Sequence, residues 1–357
     1  MENFSRRKFI KYVSLSPFLL ASKSFAIDKS TRVHIFLPEK PFEYFYKKGK
    51  EKGGRILVIG GIHGNEIGAY KATDILVDTQ VEKGELIIVP RSNFTSVLAN
   101  RRGYNGDMNR KFSKISKKDL DYKFVISLKE LIKAFKPDVV LSLHDGYGFH
   151  SLNKNHWGQC LVIDEFNYKN FPLYKVAKFV SNEANKKISN RKYKLPVYCT
   201  QTFTSKRHLE QRKALTGWCL KQNIPAFCLE SSKQLPSLKE KIKTHFYMLD
   251  GFFKIYGVKI KPSFEYILSN LDEFIKGNGY YLTASINGKL KRVKNFETIK
   301  IPKGYEFKVV NFGGSRGSFP VAHGVNLNWK DFYIRNSLTI YLKDDYKKVI
   351  SFNIKVI

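Results

Sequence analysis

The chain has 357 residues, of which 43% are hydrophobic, and it carries a formal net charge of +32. This length suits two domains better than one, and the apolar content is sufficient for a sizeable core. The strong positive charge favours anionic partners. Nucleic acid is not expected among them, because the sequence has no nucleic-acid-binding motif.

The first 26 residues predict an export signal. Arg6, Arg7 and Lys8 precede a modest apolar run, and the sequence SFA ending at Ala26 offers small residues for signal cleavage. The segment SRRKFIK resembles the twin-arginine export signal. No later stretch has the ~18 consecutive apolar residues needed to span a membrane. We therefore expect a periplasmic protein whose mature chain has no transmembrane span. The alternative is an uncleaved membrane-anchoring helix.

Short apolar runs alternate with longer amphipathic runs between residues 54 and 257. The apolar runs are rich in Val, Ile and Leu, as in buried strands; they are RILVIG (55–60), ELIIVP (85–90), DVVLSL (138–143), QCLVID (159–164) and PAFCLE (225–230). The amphipathic runs have helical spacing; they are residues 121–135, 172–188, 207–220 and 237–257. This pattern predicts an α/β domain over residues 27–262, with a mostly parallel sheet covered by helices on both faces.

The pattern changes after Pro262. A short helical piece leads into segments in which polar and apolar residues alternate, separated by Asn-Gly and Pro-Lys-Gly turn signals. Residues 263–357 are therefore predicted to form a small antiparallel β domain.

Four polar side chains fall at the carboxyl ends of the predicted parallel strands, where open α/β sheets bind their ligands. His63 and Glu66 follow the first strand, His144 follows DVVLSL, and Glu230 ends PAFCLE. Two His and one Glu are the three protein ligands that a catalytic zinc uses, and Glu230 could act as a general base. Taken singly, each residue has an ordinary explanation: a hydrogen-bonded strand-end His, a Glu at a helix N-terminus, or a Glu paired with a lysine. Their shared position on one sheet edge makes a metal site plausible.

The segment NRRGYNGDMNRKF (100–112) adds groups that could bind an anionic substrate. Asn109 and Arg110 could hold a carboxylate, because the guanidinium fork matches carboxylate geometry. Arg102 could polarise a scissile carbonyl and stabilise the oxyanion. The alternative is a basic surface loop, which is common in so cationic a chain.

Taken together, HGNE (63–66), GDMNRKF (106–112), LSLHDG (141–146) and FCLESSK (227–233) resemble, in this order, the motifs of the zinc carboxypeptidase superfamily. That superfamily also contains aspartoacylases and succinylglutamate desuccinylases. The resemblance covers residues 54–257. It implies one Zn²⁺ per chain and a carboxypeptidase-type active site.

Carried over motif by motif, the resemblance assigns a role to each residue. It makes His63, Glu66 and His144 the zinc ligands, Arg102 and Glu230 the catalytic residues, and Asn109 and Arg110 the ligands of the substrate's terminal carboxylate. Met108 stands where the superfamily usually has Leu. No residue matches the mobile tyrosine that caps the substrate in digestive carboxypeptidases.

The segment from Ile301 to Phe332 resembles the accessory β domain of murein-tripeptide carboxypeptidases, which determine helical cell shape in Campylobacter- and Helicobacter-like bacteria. This implies trimming of peptidoglycan tripeptide stems to dipeptides by hydrolysis of the D-glutamyl–meso-diaminopimelate amide. It also suggests partners in the wall or in a shape-determining complex.

A pocket for diaminopimelate needs more than Arg110, because this amino acid has two carboxylates and two amino groups. Trp157, Thr202 and Thr204 lie in loops beside the predicted strands and are candidate substrate-binding residues, as are the neighbouring Lys206 and Arg207. Thr-rich loops are common, however, and a tryptophan such as Trp157 is more often structural.

Two other functions remain open from the sequence. One is an N-acyl amino acid amidohydrolase of the aspartoacylase and desuccinylase type. The other is a non-catalytic wall-binding protein on a peptidase scaffold, although every catalytic position is occupied.

Overall fold

The computed structural model describes residues 41–276, 279–327 and 331–357. The predicted export signal lies outside these residues. An eight-stranded sheet forms the centre of the first part of the chain. Its strands are β1 (Phe45–Lys48), β2 (Glu51–Ile59), β3 (Gln80–Val89), β4 (Val139–Gly146), β5 (Cys160–Ile163), β6 (Val197–Cys199), β7 (Ala226–Ser232) and β8 (Lys259–Lys261).

The strand order is β1-β3-β2-β4-β7-β5-β6, and β8 pairs with β3. The central strands β3, β2, β4 and β7 are parallel to one another. Antiparallel pairs occur towards the edges, where β1 and β8 pair with β3 and where β5 pairs with β7. The sheet is therefore mostly parallel, which confirms the predicted fold class.

Eight helices occur in the described residues. They are α1 (Ile67–Val77), α2 (Phe94–Ala99), α3 (Tyr122–Phe135), α4 (Leu173–Lys186), α5 (Leu215–Lys221), α6 (Leu238–Ile255), α7 (Phe264–Ser269) and α8 (Leu271–Lys276). Short 3₁₀ turns cover Met108–Arg110, Arg191–Tyr193 and Leu209–Lys213.

Both faces of the central sheet are buried, which explains why its strands are apolar throughout. Successive side chains of a strand point to opposite faces. On β2, Ile56 and Val58 pack with α1, α4 and α6, whereas Leu57 and Ile59 pack with α3 and α5. A strand covered on both faces needs apolar residues at every position.

The second part of the chain contains a four-stranded and a five-stranded sheet. Their strands are β9 (Tyr281–Ile286), β10 (Lys289–Val293), β11 (Thr298–Ile301), β12 (Glu306–Gly313), β13 (Ser318–Ala322), β14 (Val325–Asn326), β15 (Asp331–Tyr333), β16 (Leu338–Asp344) and β17 (Lys347–Val356). The strand orders are β10-β9-β12-β15 and β11-β17-β16-β13-β14. All neighbouring strands are antiparallel except β11 and β17.

The predicted Asn-Gly turn connects β9 to β10. Asn287 and Gly288 both have positive φ, at 48° and 81°. Positive φ at both central residues is typical of the two-residue turn whose twist matches that of the two strands it connects.

The two parts of the chain are in direct contact. Helices α7 and α8 bury Phe264, Ile267 and Leu271 in the core of the first sheet. A smaller apolar cluster joins Phe94 of α2 to Phe319 of β13.

The predicted boundary at residue 262 stays a prediction. None of the helices in the described ranges combines the length and hydrophobicity that a membrane span requires.

Candidate metal centre and active site

The loop from Gly60 to Glu66 connects β2 to α1 and requires small residues at two points. Gly61 has a φ of +69°, in the left-handed region that glycine adopts readily. A Cβ on Gly64 would lie 1.9 Å from the carbonyl carbon of Ser96, so only glycine fits against α2. The amide of Asn93 also donates to the carbonyl of Gly61 at 2.9 Å. The loop is therefore held by the segment that follows β3.

His63, Glu66 and His144 converge and are buried, and their ligand atoms lie within 4.8 Å of one another. Nδ1 of His63 is 2.9 Å from Oε1 of Glu66, and Nδ1 of His144 is 2.8 Å from Oε2 of Glu66. The two Nδ1 atoms are 3.1 Å apart. Two imidazole nitrogens and a carboxylate group that face one another are compatible with a shared cation. Imidazole nitrogens and a carboxylate oxygen suit a divalent metal such as zinc.

The other nitrogen of each imidazole has its own partner. Nε2 of His63 lies 2.9 Å from Oδ1 of Asp107, and Nε2 of His144 lies 3.0 Å from the hydroxyl of Ser142. These partners fix the orientation of the rings and leave each Nδ1 directed at Glu66. Metal-ligating histidines are typically oriented in this way.

The charges of the three ligand residues act on one another. Burial opposes ionisation of Glu66, but the two histidines outweigh it and hold the pKa of Glu66 well below its usual range. Burial also opposes protonation of His63, yet Glu66 and Asp107 together raise the pKa of His63. In His144 burial dominates and lowers the pKa. The site therefore stabilises a negative Glu66 beside positive charge, which a metal ion can provide.

Glu230 lies on β7 directly beside His144 of β4, because the two residues are register partners. Burial, followed by the negative charge of Glu66, raises the pKa of Glu230 well above its usual range. The thiol of Cys228 lies 3.3 Å from Oε1, while Oε2 is buried and has no hydrogen-bond partner among the described residues. A buried carboxyl group whose pKa is shifted by its surroundings is a candidate for proton transfer in catalysis.

Asp145 ties together the elements that carry these residues. Its carboxylate is fully buried. It accepts hydrogen bonds from the backbone amide of Gly68 at 2.6 Å and from the hydroxyl of Ser231 at 2.6 Å, and Nε2 of His245 lies 3.0 Å away. Gly68 is two residues from Glu66, and Ser231 follows Glu230. Asp145 thus fixes the relative positions of α1, β4, β7 and α6.

Arg102 lies at the mouth of the site and is half exposed. Its Nη2 is 3.0 Å from Oδ2 of Asp107, and its Nη1 is 3.5 Å from Oε1 of Glu66. Arg102 is therefore close enough to the candidate metal ligands to contact a substrate bound there.

Asn109 and Arg110 occupy the 3₁₀ turn that follows Asp107. The side-chain oxygen of Asn109 accepts a hydrogen bond from the amide of Leu215 at 3.0 Å, which anchors the turn to the start of α5. The guanidinium of Arg110 contributes to lowering the pKa of Asp107 and opposes the rise in the pKa of Asp164. The charge of Arg110 therefore acts both on Asp107, the partner of His63, and on Asp164 in the loop after β5.

Trp157 and the two threonines lie in the loops beside β5 and β6. The Trp157 ring is edge-on to Tyr198, with ring centroids 5.1 Å apart. The Thr202 hydroxyl donates to Asp164, and the Thr204 hydroxyl donates to Glu165 at 2.9 Å. Both hydroxyls therefore join the loop after β6 to the loop after β5. A role for these three residues in binding substrate stays a prediction, as does one for Lys206 and Arg207.

Sequence reasoning gave no role to Asp107, Ser142 or Asp145. All three lie inside quoted motifs, within two residues of a predicted site residue, and that proximity was the available signal. The four cysteines carry no disulfide in the structure.

The fold and the site together define a metal-dependent hydrolase built on a mostly parallel α/β sheet. The chain belongs to the family of carboxypeptidases controlling helical cell shape, because the model of that family's catalytic region (peptidase family M99) matches residues 35–276. None of the curated proteins matches the chain by sequence.

The fold is similar to that of the cell shape determinant protein Csd4 from Helicobacter pylori. Its apo structure superposes with a TM-score of 0.62 at 20% identity, covering 88% of this chain and 100% of that one. A tripeptide-bound structure gives 0.61 at 20% identity, also covering 88% and 100%. A structure described as the mDAP-bound form of Csd4, a D,L-carboxypeptidase, gives 0.58 at 18% identity with the same coverage.

Proposed function

We propose that this carboxypeptidase is an exported zinc enzyme that trims peptidoglycan tripeptide stems to dipeptides by hydrolysing the D-glutamyl–meso-diaminopimelate amide. The observation that carries the proposal is the buried cluster of His63, Glu66 and His144 with Glu230 on the adjacent strand. The bound tripeptide and diaminopimelate in the Helicobacter pylori relative support this substrate class.

His63, Glu66 and His144 are the residues that would hold the zinc ion. Zinc at such a site polarises a carbonyl and lowers the pKa of water to about 7. Glu230 takes a proton from the attacking water and delivers it to the leaving amine. Its position supports this role, since Glu230 lies on β7 directly beside the proposed ligand His144.

Arg102 and Arg110 supply the positive charges of the proposed mechanism. Arg102, close to Glu66, stabilises the negative charge that develops on the carbonyl oxygen. Arg110, with Asn109, binds the terminal carboxylate of the substrate, which selects for cleavage at the end of the peptide. The substrate lies in the periplasmic wall, in accordance with the predicted export signal and the positive net charge.

The test is digestion of purified muropeptides with the zinc-analysed protein, followed by mass spectrometry. We expect conversion of tripeptides to dipeptides, with one zinc per chain. Intact tripeptides in the presence of bound zinc would contradict the substrate assignment. A panel of N-acyl amino acids would then test the amidohydrolase alternative, and binding to sacculi without product release would indicate a wall-binding protein. A protein that binds no zinc would contradict the metal assignment.

A further inference from the structure

The turn between β16 and β17 inserts an acidic side chain from the β domain into the catalytic domain. Asp345 has a φ of 52° and is 1% exposed. Its Oδ1 is 2.6 Å from Nε of Arg91, and its Oδ2 is 2.9 Å from Nζ of Lys71. A Cβ on Gly317 would lie 2.3 Å from Oδ1 of Asp345, so residue 317 must be glycine. The Asp345 carboxylate is thus enclosed by both domains.

The two cations that bind Asp345 lie on the two segments that support the loop from Gly60 to Glu66, here called the metal loop. Lys71 is on α1, the helix that begins directly after Glu66. Arg91 follows β3, and the next residue, Ser92, donates from its hydroxyl to the carbonyl of Gly60 at 2.9 Å. Asp345 therefore binds one cation on the helix that follows Glu66 and one on the segment that is hydrogen-bonded to Gly60, at the two ends of the metal loop.

Arg91 also connects these two supports directly. Its Nη1 and Nη2 donate to the two carboxylate oxygens of Asp74 on α1, at 2.6 and 2.7 Å. Arg91 thus bridges α1 and Asp345 with paired hydrogen bonds, an arrangement that fixes direction as well as distance. Asp344 adds a contact of 3.1 Å to Lys71. Asp345 contacts both the buried Arg91 and the partly buried Lys71, so loss of its charge weakens the compensation of two cations at once.

We propose that Asp345 is a positioning residue for the metal centre: the β domain holds the loop that carries His63 and Glu66 through Arg91 and Lys71. This inference rests on the metal site proposed above and extends it, because it gives the β domain a part in metal binding. An apolar contact acts in parallel, since Phe319 of β13 packs on Phe94 of α2, the helix against which Gly64 fits.

The main test compares zinc dissociation constants of the full chain, measured by competition with a chelator, for the wild type, Asp345→Asn and Phe352→Leu. Asparagine keeps the shape of Asp345 but removes its charge. We expect the Asp345→Asn variant to bind zinc about tenfold more weakly, the low end of the range for losing a direct partner of a metal ligand, because Asp345 acts on the ligands only through Arg91 and Lys71. Phe352 is buried in the core of the β domain, and Phe352→Leu should lower the melting temperature while changing zinc affinity less than twofold.

The outcomes separate this inference from the proposed function. A wild-type protein that binds no zinc overturns the metal site and this inference with it. A wild type that binds zinc, together with an Asp345→Asn variant of equal affinity, overturns this inference alone. So does a Phe352→Leu variant that loses as much affinity as Asp345→Asn, because the effect would then reflect general destabilisation.

Hydrogen exchange of the wild-type protein tests the same coupling without any substitution. Coupling between two sites is reciprocal, so zinc binding should slow amide exchange in the β16–β17 turn as well as in residues 91–93. A turn whose exchange rates are unchanged by zinc would contradict the proposal, even if the Asp345→Asn variant does not fold.

Discussion

His144 and Glu230 are register partners on the parallel strands β4 and β7. A proposed metal ligand and the proposed general base are therefore separated by a single strand spacing in the middle of the sheet. The distance between them is set by backbone hydrogen bonds rather than by flexible loops. Functional groups mounted on sheet strands are held with little freedom, as catalysis requires.

Replacement of Glu230 by Gln should abolish hydrolysis and leave zinc binding intact. The neutral amide is too weak a base to take a proton from the attacking water, and general acid–base catalysis is worth about 10²- to 10⁴-fold in rate. Turnover of muropeptides and zinc content measure the two effects separately. Glu240→Gln, which alters a carboxylate paired with Lys243 on α6, should retain activity. Loss of zinc together with activity in Glu230→Gln would show that Glu230 is not only a proton carrier.

Replacement of Asp107 by Asn should weaken zinc binding by about 10- to 100-fold, the usual cost of losing the partner of a metal-ligating histidine. Asp107 orients His63 through Nε2 and also pairs with Arg102. Chelator competition measures the change. Asp119→Asn is the matched control, since Asp119 pairs with Lys111 and is not bonded to a candidate ligand. Equal affinities in both variants would contradict the orienting role.

Replacement of Arg110 by Lys should lower kcat/KM by about 10- to 100-fold, because a hydrogen bond to a charged group contributes about 1.5–3 kcal/mol and lysine cannot bind a carboxylate bidentately. A tripeptide with an amidated C-terminus should be a poor substrate for both proteins and should show a smaller difference between them. The exposed Arg101 offers the control Arg101→Lys. An effect of equal size on the free and amidated peptides would argue against carboxylate recognition.

Replacement of Ser231 by Ala should lower the free energy of unfolding by about 1–3 kcal/mol, because the buried Asp145 loses one of its donors. Urea denaturation of the metal-free protein measures the change. Ser232→Ala removes a hydroxyl that binds the uncharged Gln234 and should cost less. A larger loss in the control would show that Asp145 is not the critical acceptor on this strand.

The pH dependence of stability should contain a contribution from Asp164. Burial raises the pKa of this group from 3.8 to about 6, so the folded protein holds the proton between these values while the unfolded chain has released it. Stability therefore falls as the pH rises from about 4 to 6, by about 3 kcal/mol at most. Asp164→Asn should remove this part of the slope. Identical pH profiles of the unfolding free energy for wild type and variant would contradict the raised pKa.

The sequence identified the residues that converge on the candidate metal site because they share one simple property. Each follows or ends a buried parallel strand, and parallel strands present these ends at one edge. The alternation of strands and helices likewise predicted a mostly parallel sheet. Helix α1 was not predicted, because it is buried along almost its whole length and lacks the polar face that marks an amphipathic helix.

Side-chain partners far apart in sequence could not be foreseen. Asp107 is 44 residues from His63, and Asp345 is 254 residues from Arg91. Nothing in the local pattern around an acidic residue indicates which distant cation it will meet. The threonines of the loop after β6 show the same limit, since their carboxylate partners, Asp164 and Glu165, lie 38 and 39 residues away.

The contact between Asp345 and the segments beside the metal loop has a consequence for biosynthesis. A ribosome produces His63 and Glu66 first, His144 and Glu230 later, and Asp345 last of these five residues. A nascent chain therefore displays two of the proposed zinc ligands before the groups that would complete and brace the site exist. The proposed role of Asp345 thus implies that the protein reaches its full zinc affinity only after the β16–β17 turn has been made and has packed against Arg91 and Lys71.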